Sequence, residues 1–180
     1  SEYKSSALAD AYKRLLYPAL EREIRNELTE NADEQAIKIF AVNLKNLLLQ
    51  PTLAGHVIMG LDPGYRTGCK MAIIDAQGNV LDYGAYYLTN SEKLRKEAQK
   101  VLANKIRKFG VTLLSIGNGT ASYETEQFAS TMIEEEKLNC HYIITNEAGA
   151  SVYSASKLAI DELPDLDVTI RGAVSIARRV

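Results

Sequence analysis

Cysteine is scarce in this chain of 180 residues: Cys69 and Cys140 lie far apart and match neither a metal-ligand spacing nor a redox pair. That excludes a zinc ribbon or a disulfide-stapled scaffold, and both read as buried free thiols of a cytosolic protein. No apolar stretch approaches the length of a membrane span, and the first residues carry no signal-peptide pattern. A surplus of basic charge is missing as well. With a formal net charge of -2, no global attraction to nucleic acid exists, so any such binding must rest on local patches. Internal repeats and low-complexity tracts are also absent. What remains, 46% hydrophobic and 24% charged residues, suits one globular domain of ordinary size plus an appendage. The first residue is Ser, and Ala177-Arg178-Arg179-Val180 stand in mid-helical pattern, as expected for a piece of a longer protein.

The stretch around which the chain is organised runs from His56 to Ala76. Val57 to Leu61 is a short apolar run, Asp62-Pro63-Gly64 a turn, and Cys69 to Ile74 a second run closed by Asp75 and the Gly78-Asn79 turn. This is a hairpin of mostly apolar strands, which suits a sheet covered on both faces by helices. Asp62 ends its strand, so it stands at the carboxyl end of the sheet, where open α/β sheets bind ligands. Asp-Pro-Gly is also ordinary turn chemistry. Three glycines in one hairpin, Gly60, Gly64 and Gly68, favour a place where backbone comes close to something.

Ahead of the hairpin, Ser5 to Leu49 is helical in pattern. Leu8, Ala11, Tyr12 and Leu15 mark one face; Leu20, Ile24 and Leu28 mark another after Pro18, which predicts two short helices parted there. Asn31 with Glu34 resembles a capping box for a further stripe, Ala36, Phe40, Leu44, Leu47 and Leu48, ended by Gln50-Pro51. This arm, residues 1–54, either packs on a neighbouring domain or forms a local lid on the sheet.

Behind the hairpin, Val80 to Leu88 reads as a third strand, and Asn90 or Ser91 caps a helix that Gly110 stops. Val111 to Ile116 is a buried strand; Gly117 to Ser122, GNGTAS, leads into a helix running to about Glu136. That glycine-flanked Asn118 is either an anion-binding nest or a tight strand-to-helix turn. His141 to Thr145 is the next strand and ends at Asn146-Glu147, a second carboxylate at the carboxyl end of a parallel strand. Alone, Glu147 would be a helix-dipole residue; paired with Asp62 it is a site candidate. Asp161, Asp165 and Asp167 crowd an acidic linker around Pro164, and a helical pattern restarts from Arg171 to Arg179. His56 and His141 stand alone at strand starts and read as structural.

Three antiparallel strands followed by two parallel strands fed by crossover helices is the ribonuclease H-like order, with a five-stranded mixed sheet ordered 3-2-1-4-5. LDPGYRTGCKMAIID, IGNGTASYETE, NEAGASVYSAS and PDLDVTIRGAVSIARR, preceded by EREIRNELTE and EQAIKIFAVNLKNLLLQP, resemble the central part of the bacterial Tex transcription accessory proteins. The resemblance implies that residues 55–180 form a domain similar to YqgF and to the RuvC Holliday-junction resolvases, within a longer cytoplasmic protein bearing an S1 RNA-binding domain. It implies nucleic acid, RNA or DNA, as partner, contact with the transcription machinery, and no membrane association. Active nucleases of this fold hold two divalent ions, Mg²⁺ or Mn²⁺, on carboxylates from the first strand, the fourth strand and the last helix. Asp62 corresponds to the first and Glu147 to the second. At the third place stands Arg171, whose charge about 4 Å from a divalent ion would be opposed by roughly 8 kcal/mol at an effective dielectric near 20. Asp165 or Asp167 would substitute only if the linker folded back.

Two readings follow: a nucleic-acid-binding module with an incomplete catalytic set, touching its ligand through Arg66, Asn118, Arg171, Arg178 and Arg179, or an active divalent-metal-dependent nuclease built on Asp62 and Glu147. A third class, the actin-like ATPases, also opens with an Asp-x-Gly hairpin, but this chain has no second phosphate loop of that kind.

Overall fold

The computed structural model describes residues 2–49, 53–89 and 91–180 and divides into two units, residues 1–50 and 51–180. In the first, α1 (Glu2–Ala11), a π-helical turn (Tyr12–Leu16) and α2 (Tyr17–Leu48) follow without a break. The two short helices expected to part at Pro18 are thus one rod. The π turn is the reason: the Tyr17 N–H donates to the Tyr12 carbonyl five residues back, and Pro18 falls in the first turn of α2, where its missing N–H costs little. The expected capping box fails too. Asn31 and Glu34 lie mid-helix, where Glu34 pairs with Lys38 at 3.8 Å instead. Exposed pairs of the same spacing, Asp10–Arg14 and Glu21–Arg25, each add a few tenths of a kcal/mol. Leu20, Ile24, Leu28 and Phe40 all stay exposed. The expected stop at Gln50-Pro51 lies outside the described residues.

In the second unit β1 (Ile58–Asp62), β2 (Cys69–Ile74) and β3 (Val80–Tyr86) form an antiparallel meander. Then come α3 (Glu92–Phe109), β4 (Leu113–Gly117), α4 (Ser122–Glu135) and β5 (His141–Thr145), followed by α5 (Ala150–Ala155), α6 (Lys157–Glu162) and α7 (Val168–Ala177). The sheet order is β3-β2-β1-β4-β5, with β4 parallel to β1 and β5 parallel to β4, as the hairpin and crossovers require. Ser91 caps α3 by accepting from the Leu94 N–H at 3.3 Å, and Gly110 ends it in the left-handed region. The alternative cap, Asn90, is outside the described residues.

Each face of the sheet has its own core. Met59, Leu61, Met71, Ile73, Leu114 and Ile116 pack with Leu102 and Ile106 of α3 and Phe128 and Met132 of α4. On the opposite face Ile58, Ala72, Ile74 and Leu113 meet Ile170, Ala173, Val174 and Ala177 of α7. Both cysteines are free and buried, and burial pushes both thiols up from their ordinary range. No helix among the described residues is long and apolar enough to cross a membrane.

α7 sits on β1 at backbone distance. A Cβ on Gly60 would lie 2.8 Å from the Ala177 Cβ and would collide with the Ala173 carbonyl. On β4 the buried Ser115 hydroxyl donates to the Ile176 carbonyl at 2.9 Å and lies 2.7 Å from the Thr145 hydroxyl. Overpacking such a seam costs about 1–3 kcal/mol. Gly60→Ala is therefore expected to lower the unfolding free energy of this unit by at least that amount, read as a lower urea midpoint at unchanged slope.

Candidate functional site

Asp62 ends β1 and Glu147 follows β5 by two residues, and both carboxylates open into one cavity of about 260 Å³. Ala150, Ser151 and Ser154 of α5 and Val168, Thr169, Gly172 and Ile176 of α7 line the remainder. The Asp62 carboxyl is held up at about 6, first by burial and then by the negative charge of Glu147; the Lys70 ammonium opposes the shift. Lys70 stands directly across β2 from Asp62. It is also the only charged residue of its strand, and it donates to the Gly68 carbonyl at 3.2 Å and to that of Thr67. Hairpin register, once set, would have pointed to it.

Glu147 is reached from β5, the strand His141–Thr145 after which the sequence placed it, beside the fourth strand that carries the second ligand in the resembling nucleases. The end of β4 carries Asn118 instead. Its backbone N–H donates to the Thr145 carbonyl at 3.0 Å, and its side-chain oxygen accepts from the Glu147 N–H at 3.1 Å. The glycines flanking Asn118 are explained by the same carboxylate: a Cβ on Gly117 would lie 2.7 Å from Glu147 Oε2, and one on Gly119 would lie 2.8 Å from its Cδ. The GNG turn thus admits the chain's own anion, which leaves little room for the nest that Asn118 suggested.

The helix α7 corrects the sequence reading most. Of its residues that line the cavity, the one set against Asp62 is Gly172, where a Cβ would stand 3.0 Å from Asp62 Oδ2. Arg171, expected at the third ligand place, is buried and turned away: Nε donates to the Ser154 carbonyl at 2.7 Å and Nη1 to that of Leu166 at 2.5 Å. Asp167 does not fill the gap. It caps α7, accepting from the Thr169 and Ile170 N–H groups and the Thr169 hydroxyl, bonds that hold its carboxyl below the usual range. Asp165 is exposed and does not line the cavity. Among the described residues no group of three His, Cys, Asp or Glu side chains could hold a metal ion.

The terminal arginines are also committed inward. Arg178 donates to the Gly78 carbonyl at 3.0 Å and to the Tyr153 hydroxyl at 3.2 Å, and pairs with Glu162 at 2.8 Å; Arg179 donates to the Ala148 carbonyl. Arg66 differs. It is exposed, without an ion pair among the described residues, on the loop leaving Asp62, and that loop is tied to α4 by the Tyr65 hydroxyl donating to Glu124 at 2.7 Å. His56 is structural as expected, its Nδ1 lying 2.9 Å from the Thr112 hydroxyl.

Residues 56–180 match the family model of the Tex protein YqgF-like domain. The chain belongs to that family. It is 50% identical over 99% of its length to the uncharacterized protein YdcI of Bacillus subtilis, and covers 25% of that protein. Protein tex of Bordetella pertussis is 47% identical over 92% of the chain, which covers 21% of it. S1 RNA-binding domain-containing protein 1 of Homo sapiens is 43% identical over 97% of the chain, which covers 18% of it. The chain therefore spans at most a quarter of the length of these relatives. Among solved structures, Thermus thermophilus RuvC in complex with a Holliday junction substrate superposes with a TM-score of 0.51 at 10% identity, over 68% of this chain and 91% of that one. This shows that the YqgF-like domain has the RuvC-type, ribonuclease H-like fold.

A carboxyl raised in the folded state binds its proton more tightly there than in the unfolded chain. Its contribution is therefore fully present below the unfolded value near 4 and is lost as pH rises toward 6. Asp62→Asn removes that loss. The variant is expected to be more stable than the parent at pH 8 by about 1–2 kcal/mol, after allowance for the half-open position, with the gain fading by pH 4. Denaturant titrations at several pH values measure it.

Proposed function

We propose that this YqgF-like domain holds nucleic acid at the carboxyl ends of its strands without cutting it, as part of a longer cytoplasmic transcription accessory protein that works alongside the transcription machinery. Residues 1–54 serve as its helical arm and 55–180 as the holding domain. One observation carries the reading: the α7 residue that faces Asp62 is Gly172, which brings no third carboxylate to the site. In-line hydrolysis by two ions needs a clamp on both the attacking and the leaving oxygen. Asp62 and Glu147 alone do not form that donor set, so the residues present do not fit the Mg²⁺ or Mn²⁺ pair of an active resolvase, and no hydrolytic step is derived.

Support for nucleic acid comes from the family, from a relative named for an S1 RNA-binding domain, and from the RuvC-type fold. Exposed cations available for phosphates include Arg66 on the hairpin loop and Lys93 on α3; Lys96 is paired with Glu92, and Arg95 lies over the Phe128 ring. Few contacts on an acidic chain give weak binding that each added increment of salt reduces.

The test is a nuclease assay with Mg²⁺ and Mn²⁺ on junction DNA, single-stranded RNA and RNA/DNA hybrid, beside Asp62→Asn. No cleavage is expected from either protein, with weak binding that falls as salt rises. Cleavage by the parent that Asp62→Asn abolishes would overturn the proposal, and salt-independent tight binding would contradict its electrostatic part.

A further inference from the structure

α7 covers β1, β2 and β4 but leaves β3, the outer strand on that face, largely open. Leu81, Tyr83 and Tyr87 are 42–49% exposed, whereas the residues between them are mostly half-buried. Tyr83 stands opposite Ala72, which packs under α7, so its ring is on the α7 side of the sheet. Tyr87 lies at the other end of the same alternation. Its Cδ1 is 3.3 Å from where a Cβ would stand on Gly68, whose carbonyl accepts from Lys70, and Lys70 faces Asp62. The hairpin loop therefore lies between Tyr87 and the strand end that carries Asp62.

The chemistry of that surface selects its occupant. Two open aromatic rings, roughly 14 Å apart along a strand, are far enough apart for each to take its own base. Base stacking on exposed rings beside cations is how unpaired strands are held without sequence readout. Arg66 on the adjoining loop and the half-buried Lys70 of β2, whose ammonium also holds the loop carbonyls of Thr67 and Gly68, supply positive charge to complement phosphates. The nearby carboxylates do not face the shelf: Asp82 is paired with Lys105 on the α3 side, and Asp62 and Glu147 are sunk in the cavity.

We propose that the open face of β3 is a stacking shelf for single-stranded nucleic acid, with Tyr83 and Tyr87 under two bases and Arg66 and Lys70 beside the phosphates. This rests on the nucleic-acid reading above and adds to it where the strand lies and that it is unpaired. Both rings are exposed, so their replacement leaves the two cores intact.

The experiment uses the 180-residue chain with short fluorescein-labelled oligo(U) and oligo(dT), the matching duplex, and a strand carrying 2-aminopurine, whose emission reports stacking. Tyr83→Leu and Tyr87→Leu are each expected to weaken single-strand binding about tenfold and to abolish the aminopurine change, at an unaltered salt slope. Phe at either position should stay within about twofold of the parent. Melting curves confirm that each variant folds.

If the parent binds single strands and both Leu variants bind within about twofold of it, the shelf is overturned while the nucleic-acid reading stands. Duplex bound as tightly as single strand also overturns the shelf. If no oligonucleotide binds, both fall. A dimer in sedimentation that Tyr83→Leu dissolves would assign the face to a second copy and overturn the shelf.

Discussion

The seam between α7 and β1 sets the rest of the second unit. Small residues on both sides, Gly60 below and Ala173 and Ala177 above, bring helix backbone down onto strand backbone, and Ser115 fastens the seam to β4 through the Ile176 carbonyl. Because the helix is so close, the Asp62 carboxylate has helix backbone at Gly172 as its neighbour instead of a side chain. It loses water on that side, which is why burial is the larger cause of its raised proton affinity. Packing distance and site chemistry are one constraint here, since moving the helix away would rehydrate the carboxylate and open the position for another ligand.

The architecture was legible because its signals are local. Apolar runs bounded by Asp-Pro-Gly and Gly-Asn give the hairpin, Ser91 and Gly110 mark both ends of α3, and the order of strands follows from handedness. The site was legible only in part. Motif position put Arg171 near the last helix's ligand place, but one step along a helix turns a side chain by about 100°, and the step from Arg171 to Gly172 separates the buried interior from the cavity. Arg178 and Arg179 looked like free cations because their acceptors, the carbonyls of Gly78 and Ala148, are remote in sequence. Lys70 was missed for a related reason: its neighbour is a partner across a strand, and register is invisible until the hairpin is closed.

Glu147 shows how a turn motif can mislead. Glycine on either side of a polar residue before a helix is the usual setting for an external anion. Here the same glycines make space for an internal one, brought over by the neighbouring strand and oriented by Asn118. The electrostatic consequence runs through the whole cavity. A carboxylate laid against the GNG turn adds negative charge beside Asp62, so any phosphate approaching these strand ends meets repulsion at the centre and must be held from the rim.

The π turn in the N-terminal rod has a mechanical meaning. A π turn takes one more residue than an α turn, so everything beyond it is turned back by about a quarter of a revolution relative to an unbroken α-helix. Leu8 ahead of it and Leu20 beyond it, which an unbroken α-helix would set about 120° apart, therefore come within about 20° of one another, so the two stripes share one side of the rod. One inserted residue thus converts two apolar stripes that would face different ways into a single exposed seam along unbroken backbone, with its heading set at Tyr12–Leu16.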